Sequence, residues 1–132
     1  AGDACSAALP LRCGDRLHHS TTVEGRSTQW GGYGRSARSE GGRETVYAFA
    51  WDAADCQVRA TLSDLTVDLD LFLLSACDPV AANLGASSTP LDLQTVETLT
   101  WTNVANRTYY VVVDGYAGAQ GGYTHDVACT CQ

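Results

Sequence analysis

The sequence predicts an all-β fold: a single jelly-roll-like antiparallel β-sandwich stapled by disulfides. Three observations support this. Apolar residues recur with a period of two in several segments, whereas helical periodicity is almost absent. Gly, Asp, Asn and Ser separate these segments at a spacing typical of sandwiches. The chain has 132 residues, enough for one domain, and six cysteines.

Six segments carry the strand pattern most clearly. The first, residues 44–51 (ETVYAFAW), is apolar on both faces, so we expect a central strand that is buried on both sides. A weaker pattern covers residues 17–24. The other five clear segments are residues 57–63, the middle of 66–78, 96–101, 108–114 and 123–129.

Two stretches without a periodic pattern are predicted to be loops. Residues 25–43 are rich in Gly, Ser and Arg, and residues 77–93 contain two prolines. Loops of this length inside a compact domain usually carry a function or are attached to something. We treat residues 1–132 as one domain, with residues 1–13 as an N-terminal arm.

Charge and cysteine content limit the partners and the compartment. Fifteen acidic residues outnumber eight basic ones, all of them Arg, and the net charge is −7. We therefore expect no binding to nucleic acid. No apolar run approaches the roughly 20 residues that span a bilayer, so no membrane insertion is expected, and we find no signal peptide. The cysteines are even in number and do not form zinc-type CxxC pairs, which predicts disulfides in a secreted protein.

Two aspartates lie inside a strand pattern, where Asp is disfavoured. In TVDLDLFLLSACD, Asp68 and Asp70 share one face and the alternating leucines share the other. We expect the leucines to lie in the core and both aspartates to face solvent or a loop.

Asp114 ends the strand pattern of residues 108–114, and it would join Asp68 and Asp70 if the two strands are neighbours. Three carboxylates packed together repel one another unless a cation or backbone amides compensate. Three interpretations stay open: hydrogen bonding and turn capping, a calcium site, and solvated charges that protect a sheet edge. A catalytic pair is least favoured, because Asp-Gly-Tyr does not follow the Asp-Thr-Gly or Asp-Ser-Gly order of aspartic proteases.

Motifs typical of enzymes are missing from the sequence. It contains neither HExxH nor Gly-x-Ser-x-Gly, and its three histidines show no zinc-ligand spacing. We therefore predict a protein without enzymatic activity.

The loop of residues 25–43 combines aromatic and basic side chains. Large rigid aromatic residues dominate binding hot spots, and arginines in an acidic chain suit an acidic patch on an identical chain. The alternative is that the aromatic residues cap the ends of the core. Trp30 is the strongest candidate because glycines follow it. The candidate interface residues are Trp30, Tyr33, Arg35, Arg38, Arg43 and Tyr116.

The ordered set of strand motifs resembles the bacterial pre-peptidase C-terminal domain family. The matching pieces are VYAF, DLDLFLL, TYYVVVDGY and GGYTHDV, within residues 44–129. The resemblance implies a small jelly-roll-like sandwich of secreted bacterial proteins, often appended to proteases and not itself catalytic. Some related domains bind collagen-like or polysaccharide matrices, and some bind calcium.

The resemblance also bears on the disulfides. A second cysteine often follows the SACD position closely in similar sequences, but here that region reads PVAANLG. We therefore expect Cys77 to bond with Cys56, one strand away. Of the 15 connectivities that six cysteines allow, our choice is Cys5–Cys131, Cys13–Cys129 and Cys56–Cys77.

Two functions are compatible with the sequence. The first is an extracellular or cell-surface structural or adhesive protein that assembles with copies of itself into oligomers or filaments, with the basic loop or the N-terminal arm reaching a neighbour. The second is a matrix- or polysaccharide-binding accessory module of a secreted bacterial protein such as a protease. It is supported by the family resemblance and by the loop aromatics.

Overall fold

Nine strands form the framework of the part of the chain that can be described. The computed structural model describes residues 8–21, 33, 44–78, 80–87, 96–115 and 118–131. Within these residues no helix is long and apolar enough to cross a membrane. The strands are β1 (Leu9–Leu11), β2 (Arg16–Ser20), β3 (Thr45–Ala50), β4 (Gln57–Ser63), β5 (Leu69–Leu74), β6 (Asn83–Ser87), β7 (Glu97–Thr102), β8 (Thr108–Gly115) and β9 (Gly122–Thr130).

The strands form two sheets, which confirms the predicted β-sandwich. The five-stranded sheet has the order β1-β3-β8-β5-β6, and the four-stranded sheet has the order β2-β9-β4-β7. Neighbouring strands are antiparallel except that β1 runs parallel to β3. Strand β1 is therefore an edge strand of the five-stranded sheet, where Leu9–Leu11 pairs with residues 47–49 of β3.

The core between the sheets follows from the period-two pattern. In β4, Val58, Ala60 and Leu62 are fully buried, whereas Arg59 between them is exposed. The same alternation buries Leu99 and Trp101 of β7. Side chains that alternate in this way bury one face of a sheet and leave the other to solvent.

The five-stranded sheet differs because part of its outer face is also buried. Leu69, Leu71 and Leu73 of β5 lie in the main core, as predicted. Phe72 and Leu74 point the other way, yet both are completely buried. They belong to a second apolar cluster with Val46, Val112 and Tyr33.

This second cluster overturns the prediction that Asp70 faces solvent, because Asp70 is fully buried on the same outer face. The ring of Tyr33 stacks on Phe72 with centroids 3.8 Å apart, and this contact covers part of that face. The period-two pattern correctly assigned Asp70 to the face opposite the leucines. Of the two predicted surroundings, solvent is wrong for Asp70, whereas a loop agrees with the position of Tyr33, which comes from the predicted loop of residues 25–43.

Strands β1 and β6 were not predicted. β6 lies inside residues 77–93, which were expected to form a loop, and its sequence NLGAS does not alternate. It pairs with β5 across an irregularity between Leu73 and Leu74, and the Asn83 side-chain oxygen accepts a hydrogen bond of 2.9 Å from the Gly85 amide. Side-chain hydrogen bonding of this kind leaves no hydrophobic pattern in a sequence.

The disulfides confirm one predicted pair and correct two. Cys13 bonds Cys129, as expected. Cys56 bonds Cys131, so the predicted pairs Cys56–Cys77 and Cys5–Cys131 are wrong. The reason is register: Gln57 of β4 lies opposite Thr130 of β9, which brings the adjacent cysteines together. Cys77 is also disulfide-bonded, to a residue outside the described part of the chain.

Candidate functional site

Asp70 and Asp114, two of the three carboxylates predicted to converge, do so on the outer face of the five-stranded sheet. They occupy directly opposite positions on β5 and β8, and both are fully buried. The Tyr33 hydroxyl donates a hydrogen bond of 2.6 Å to Asp114 Oδ2, and the Gly115 amide donates one of 2.8 Å to Oδ1. Burial raises the pKa of Asp114 to about 8; the two hydrogen bonds oppose this, and the charges of Glu44 and Asp70 add to it.

The third predicted carboxylate, Asp68, lies just before β5 and is only half-buried. Within the described ranges, no group of three or more His, Cys, Asp or Glu side chains is arranged to hold a metal ion. Both oxygens of Asp114 already accept hydrogen bonds, so a calcium ion would compete with Tyr33 and Gly115. Calcium at Asp68, Asp70 and Asp114 therefore stays a prediction from the sequence.

Tyr33 is not the exposed loop aromatic that the sequence predicted. Only 4% of its surface is exposed, and its ring and hydroxyl are both used inside the protein. Its role in this structure is to cover the sheet. The other five candidate interface residues lie outside the described part of the chain: Trp30, Arg35, Arg38, Arg43 and Tyr116.

A cleft that the sequence did not predict opens where β1 and β3 end. Its volume is about 330 Å³, and Arg12, Cys13, Phe49, Ala50 and Trp51 line it. The parallel pairing of β1 with β3 places Phe49 beside the end of β1, so Arg12 and Trp51 both lie just beyond paired strands. The disulfide to β9 anchors Cys13. We call this feature the Trp51 cleft.

The backbone around Trp51 is held by hydrogen bonds. The Trp51 carbonyl accepts one from the Asn103 side chain (3.1 Å) and one from the Asn106 amide (3.0 Å). The Trp51 ring meets the edge of Phe49 with centroids 6.4 Å apart and is half-buried. Its indole N–H and the Arg12 guanidinium form no hydrogen bond or ion pair with the described residues. The cleft thus offers the half-buried Trp51 ring and two sets of donors that no described residue uses.

The cleft escaped sequence analysis for a structural reason. Trp51 shares its predicted face with Tyr47 and Phe49, which indicates a core residue. In the structure β3 ends one residue earlier, at Ala50, so Trp51 lies at the margin of the core. Arg12 follows a strand that has no sequence pattern, so only the fold brings the two side chains together.

A second, smaller depression lies on the outer face of the four-stranded sheet. It has a volume of about 110 Å³, and Gln57, Arg59, Thr100, Ala128 and Thr130 line it. These side chains alternate with buried ones along their strands, which is the usual character of a solvated sheet face. Its lining includes no aromatic residue, and it is a weaker candidate than the Trp51 cleft.

A polar cluster crosses the main core. The Tyr47 hydroxyl lies 2.8 Å from His19 Nδ1 and 2.7 Å from the Tyr123 hydroxyl, both within hydrogen-bonding distance. His125 packs edge-on against Tyr47 at 4.7 Å and is completely buried, and neither ring nitrogen bonds any described residue. Burial lowers the pKa of His125 to about 4; His19 adds to this, and Asp15 opposes it. Tyr47, Tyr123 and His125 are buried and only His19 is partly exposed, so the cluster offers little surface to a ligand.

Comparison with known proteins shows the fold. No family model and no curated protein matches the sequence. Among solved structures, the pre-peptidase C-terminal domain of collagenase from Bacillus anthracis is 14% identical, with a TM-score of 0.58, covering 91% of this chain and 93% of that one. The periplasmic inhibitor of g-type lysozyme, PliG, from Aeromonas hydrophila is 11% identical, with a TM-score of 0.61, covering 93% and 96%. The chain therefore has the fold of the pre-peptidase C-terminal domain, as the resemblance implied.

Proposed function

We propose that this protein is a non-catalytic extracellular module that binds a polysaccharide in the Trp51 cleft. The observation that carries the proposal is a cleft of about 330 Å³ that holds the half-buried Trp51 ring and hydrogen-bond donors that no described residue uses. That volume lies at the lower end of the roughly 300–1,000 Å³ typical of ligand sites. It suits one or two sugar units of a longer chain.

The chemistry of the cleft matches that of a sugar. A pyranose ring has an apolar C–H face that packs on an aromatic ring, and a rim of hydroxyl groups that need donors and acceptors. Trp51 supplies the ring and an indole N–H, which is the combination that places Trp at surfaces with one apolar and one wet side. The guanidinium of Arg12 supplies further donors.

The lining of the cleft supports binding without catalysis. Glycoside hydrolysis generally needs two carboxyl groups on either side of the scissile bond. None of the described lining residues carries a carboxyl group. The buried Asp70 and Asp114 lie on the outer face of the five-stranded sheet, sealed by Tyr33.

Disulfides support an extracellular or periplasmic location. The described residues include two complete disulfides, Cys13–Cys129 and Cys56–Cys131. Such bonds persist in oxidising compartments. The two structures of similar fold are described as a collagenase domain and a periplasmic inhibitor, which agrees with this location.

Self-assembly is a second proposal, favoured by an exposed apolar pair. Val80 is 65% exposed and Leu84 is 40% exposed, close together in sequence at the outer edge of the five-stranded sheet. The strand edges themselves are poor templates for pairing. β1 is short and contains Pro10, and the Gly85 amide of β6 already bonds Asn83. Self-assembly through these edges therefore has less support than sugar binding.

Affinity measurements with Trp51 variants test the main proposal. Wild type and Trp51→Ala are compared on a panel of soluble polysaccharides by isothermal titration. We expect at least about a tenfold loss of affinity in Trp51→Ala, because a ring contact worth roughly 1.4 kcal/mol disappears. Trp51→Phe keeps a ring and should lose less, whereas Val80→Ala, an exposed apolar control beside β6 at the opposite edge of the five-stranded sheet, should bind as wild type does.

Two results bear directly on the choice between the proposals. Equal binding by wild type and Trp51→Ala, with both folded, would contradict the cleft as the sugar site. Sedimentation of wild type beside Leu84→Ser tests self-assembly: oligomers that the substitution dissociates would support it, and a monomer at high concentration would exclude it.

A further inference from the structure

We infer that the sugar unit held in the Trp51 cleft carries a carboxylate, so that the ligand is a uronate-containing polysaccharide. This inference rests on the proposed function and names its substrate class. It depends on the charge of Arg12, which sugar binding through neutral hydroxyl groups does not itself require.

The backbone that carries Arg12 is fixed. Its amide donates a hydrogen bond of 2.8 Å to Asp15 Oδ2, and its carbonyl accepts one of 3.2 Å from the Asp15 amide. Gly14 closes this turn with a φ of 85°, a conformation that favours glycine. Leu11, the preceding residue, is buried in the core, and the following Cys13 is bonded to Cys129. Arg12 therefore projects from a rigid turn.

The guanidinium of Arg12 is exposed and has no carboxylate partner among the described residues. Asp15, the nearest acidic residue in the turn, bonds the Arg12 amide instead. The other described arginines lie elsewhere. Arg16 forms an ion pair with Asp126, with 3.6 Å between Nε and Oδ1. Arg59 lies on the outer face of the four-stranded sheet, and Arg107 is in the loop between β7 and β8.

An unpaired guanidinium beside an aromatic ring discriminates between sugars. Guanidinium groups have five donors and no acceptor, and their fork matches the two oxygens of a carboxylate. Charge-assisted hydrogen bonds are about twice as strong as neutral ones. A pyranose that packs its C–H face on Trp51 presents its ring substituents to the rest of the cleft lining, which includes Arg12. A carboxylate substituent makes the stronger contact there than a hydroxyl does.

The net charge of −7 opposes the approach of a polyanion but does not decide the contact. Exposed charges are screened over about 8 Å at physiological ionic strength. A guanidinium and a carboxylate in contact are separated by only about 3 Å. Net charge therefore slows association, whereas the contact with Arg12 sets the difference in affinity between charged and neutral ligands.

Matched polymers isolate the carboxylate. Polygalacturonate and alginate are compared with their methyl esters and with a neutral glucan, all with a chelator present, by titration at physiological ionic strength. For at least one uronate polymer, we expect the affinity of wild type for the acid form to be about 5- to 10-fold higher than its affinity for the methyl ester. Arg12→Gln should remove that preference, because it lowers affinity for the acid polymer more than affinity for the ester.

The controls separate the two proposals. Arg59→Gln makes the same change of charge on a different surface and should keep the preference. Equal affinity of wild type for acid and ester, a preference for the neutral glucan, or a preference that survives in Arg12→Gln would overturn the carboxylate inference and leave sugar binding intact. Failure of wild type to bind any of the polymers would overturn both proposals.

Discussion

The Tyr33 hydroxyl donates a hydrogen bond of 2.6 Å to Asp114 Oδ2, and both residues are buried. This bond joins a residue from a stretch without a strand pattern to the end of a central strand. It explains how a carboxyl group is accommodated beside Asp70 in an apolar cluster. Burial, which this bond opposes, raises the pKa of Asp114 and so couples its protonation to folding.

Replacing Asp114 with Asn should stabilise the protein at high pH. The pKa of Asp114 is raised by burial to about 8 from 3.8, so the folded state holds a proton that the unfolded chain releases. The contribution of Asp114 to stability is therefore largest below pH 4 and falls as the pH rises to about 8, by up to about 1.4 kcal/mol per unit. Between pH 4 and 9, the unfolding temperature of Asp114→Asn should rise relative to that of wild type as the pH rises. Parallel curves would contradict the raised pKa.

Calcium binding at Asp114 would have the opposite pH dependence, with stability rising rather than falling as the pH rises. If Asp68, Asp70 and Asp114 hold calcium, the ion favours the ionised carboxylates and raises the unfolding temperature above neutral pH. We expect a rise of several degrees on adding millimolar calcium to chelator-treated protein, lost in Asp114→Asn. An unchanged unfolding temperature would remove calcium from consideration.

His125 should make the protein sensitive to acid. Its pKa is lowered by burial to about 4 from 6.5, so the unfolded chain takes up a proton before the folded state does. Stability from His125 is complete above about pH 6.5 and is lost as the pH falls towards 4. In denaturant titrations, the free energy of unfolding of His125→Phe should rise relative to that of wild type by about 3 kcal/mol as the pH falls from 7 to 4. A constant difference between the two proteins would refute this reading of His125.

The two titrations oppose each other between about pH 4 and 6.5. As the pH falls through this range, Asp114 adds stability and His125 removes it. Wild type should therefore have a flatter pH profile than either single variant. Because the two groups lie on different faces of the fold, their effects should add in the double variant.

Gly115 should not tolerate a side chain. A Cβ atom at this position would lie 1.6 Å from the backbone oxygen of Ala119, far inside van der Waals contact. We expect Gly115→Ala to lower the free energy of unfolding by more than about 2 kcal/mol in chemical denaturation. The control is Gly85→Ala in β6, where the nearest atom is Leu99 Cδ2 at an ordinary 3.8 Å. Equal stability of the two variants would contradict the close approach at Gly115.

Each described disulfide should contribute strongly to stability. The Cys13–Cys129 and Cys56–Cys131 bonds join residues 116 and 75 positions apart. Replacing either pair with serine should cost about 2–5 kcal/mol, because long loops in the unfolded chain regain entropy. A non-reducing peptide map checks the pairing itself: a fragment joining Cys56 to Cys77 would contradict the structure.

Sequence periodicity was sufficient for much of the fold. The alternation in residues 57–63 placed Val58 and Leu62 inside and Arg59 outside, and these positions are confirmed. The double apolar face of residues 44–51 is also confirmed, since Tyr47 lies in the main core and Val46 in the outer cluster. These results hold because the period of a strand decides which side chains share a face, whatever else the chain does.

Only the tertiary structure decided what covers each sheet face and which strand ends lie side by side. Asp70 was expected to face solvent or a loop, and periodicity could not choose between them; it is buried, because Tyr33 lies over part of that face. Arg12 and Trp51 are 39 positions apart, and neither carries a signal for the other. They line the same cleft because β1 pairs with β3, and this pairing joins segments that are distant in sequence.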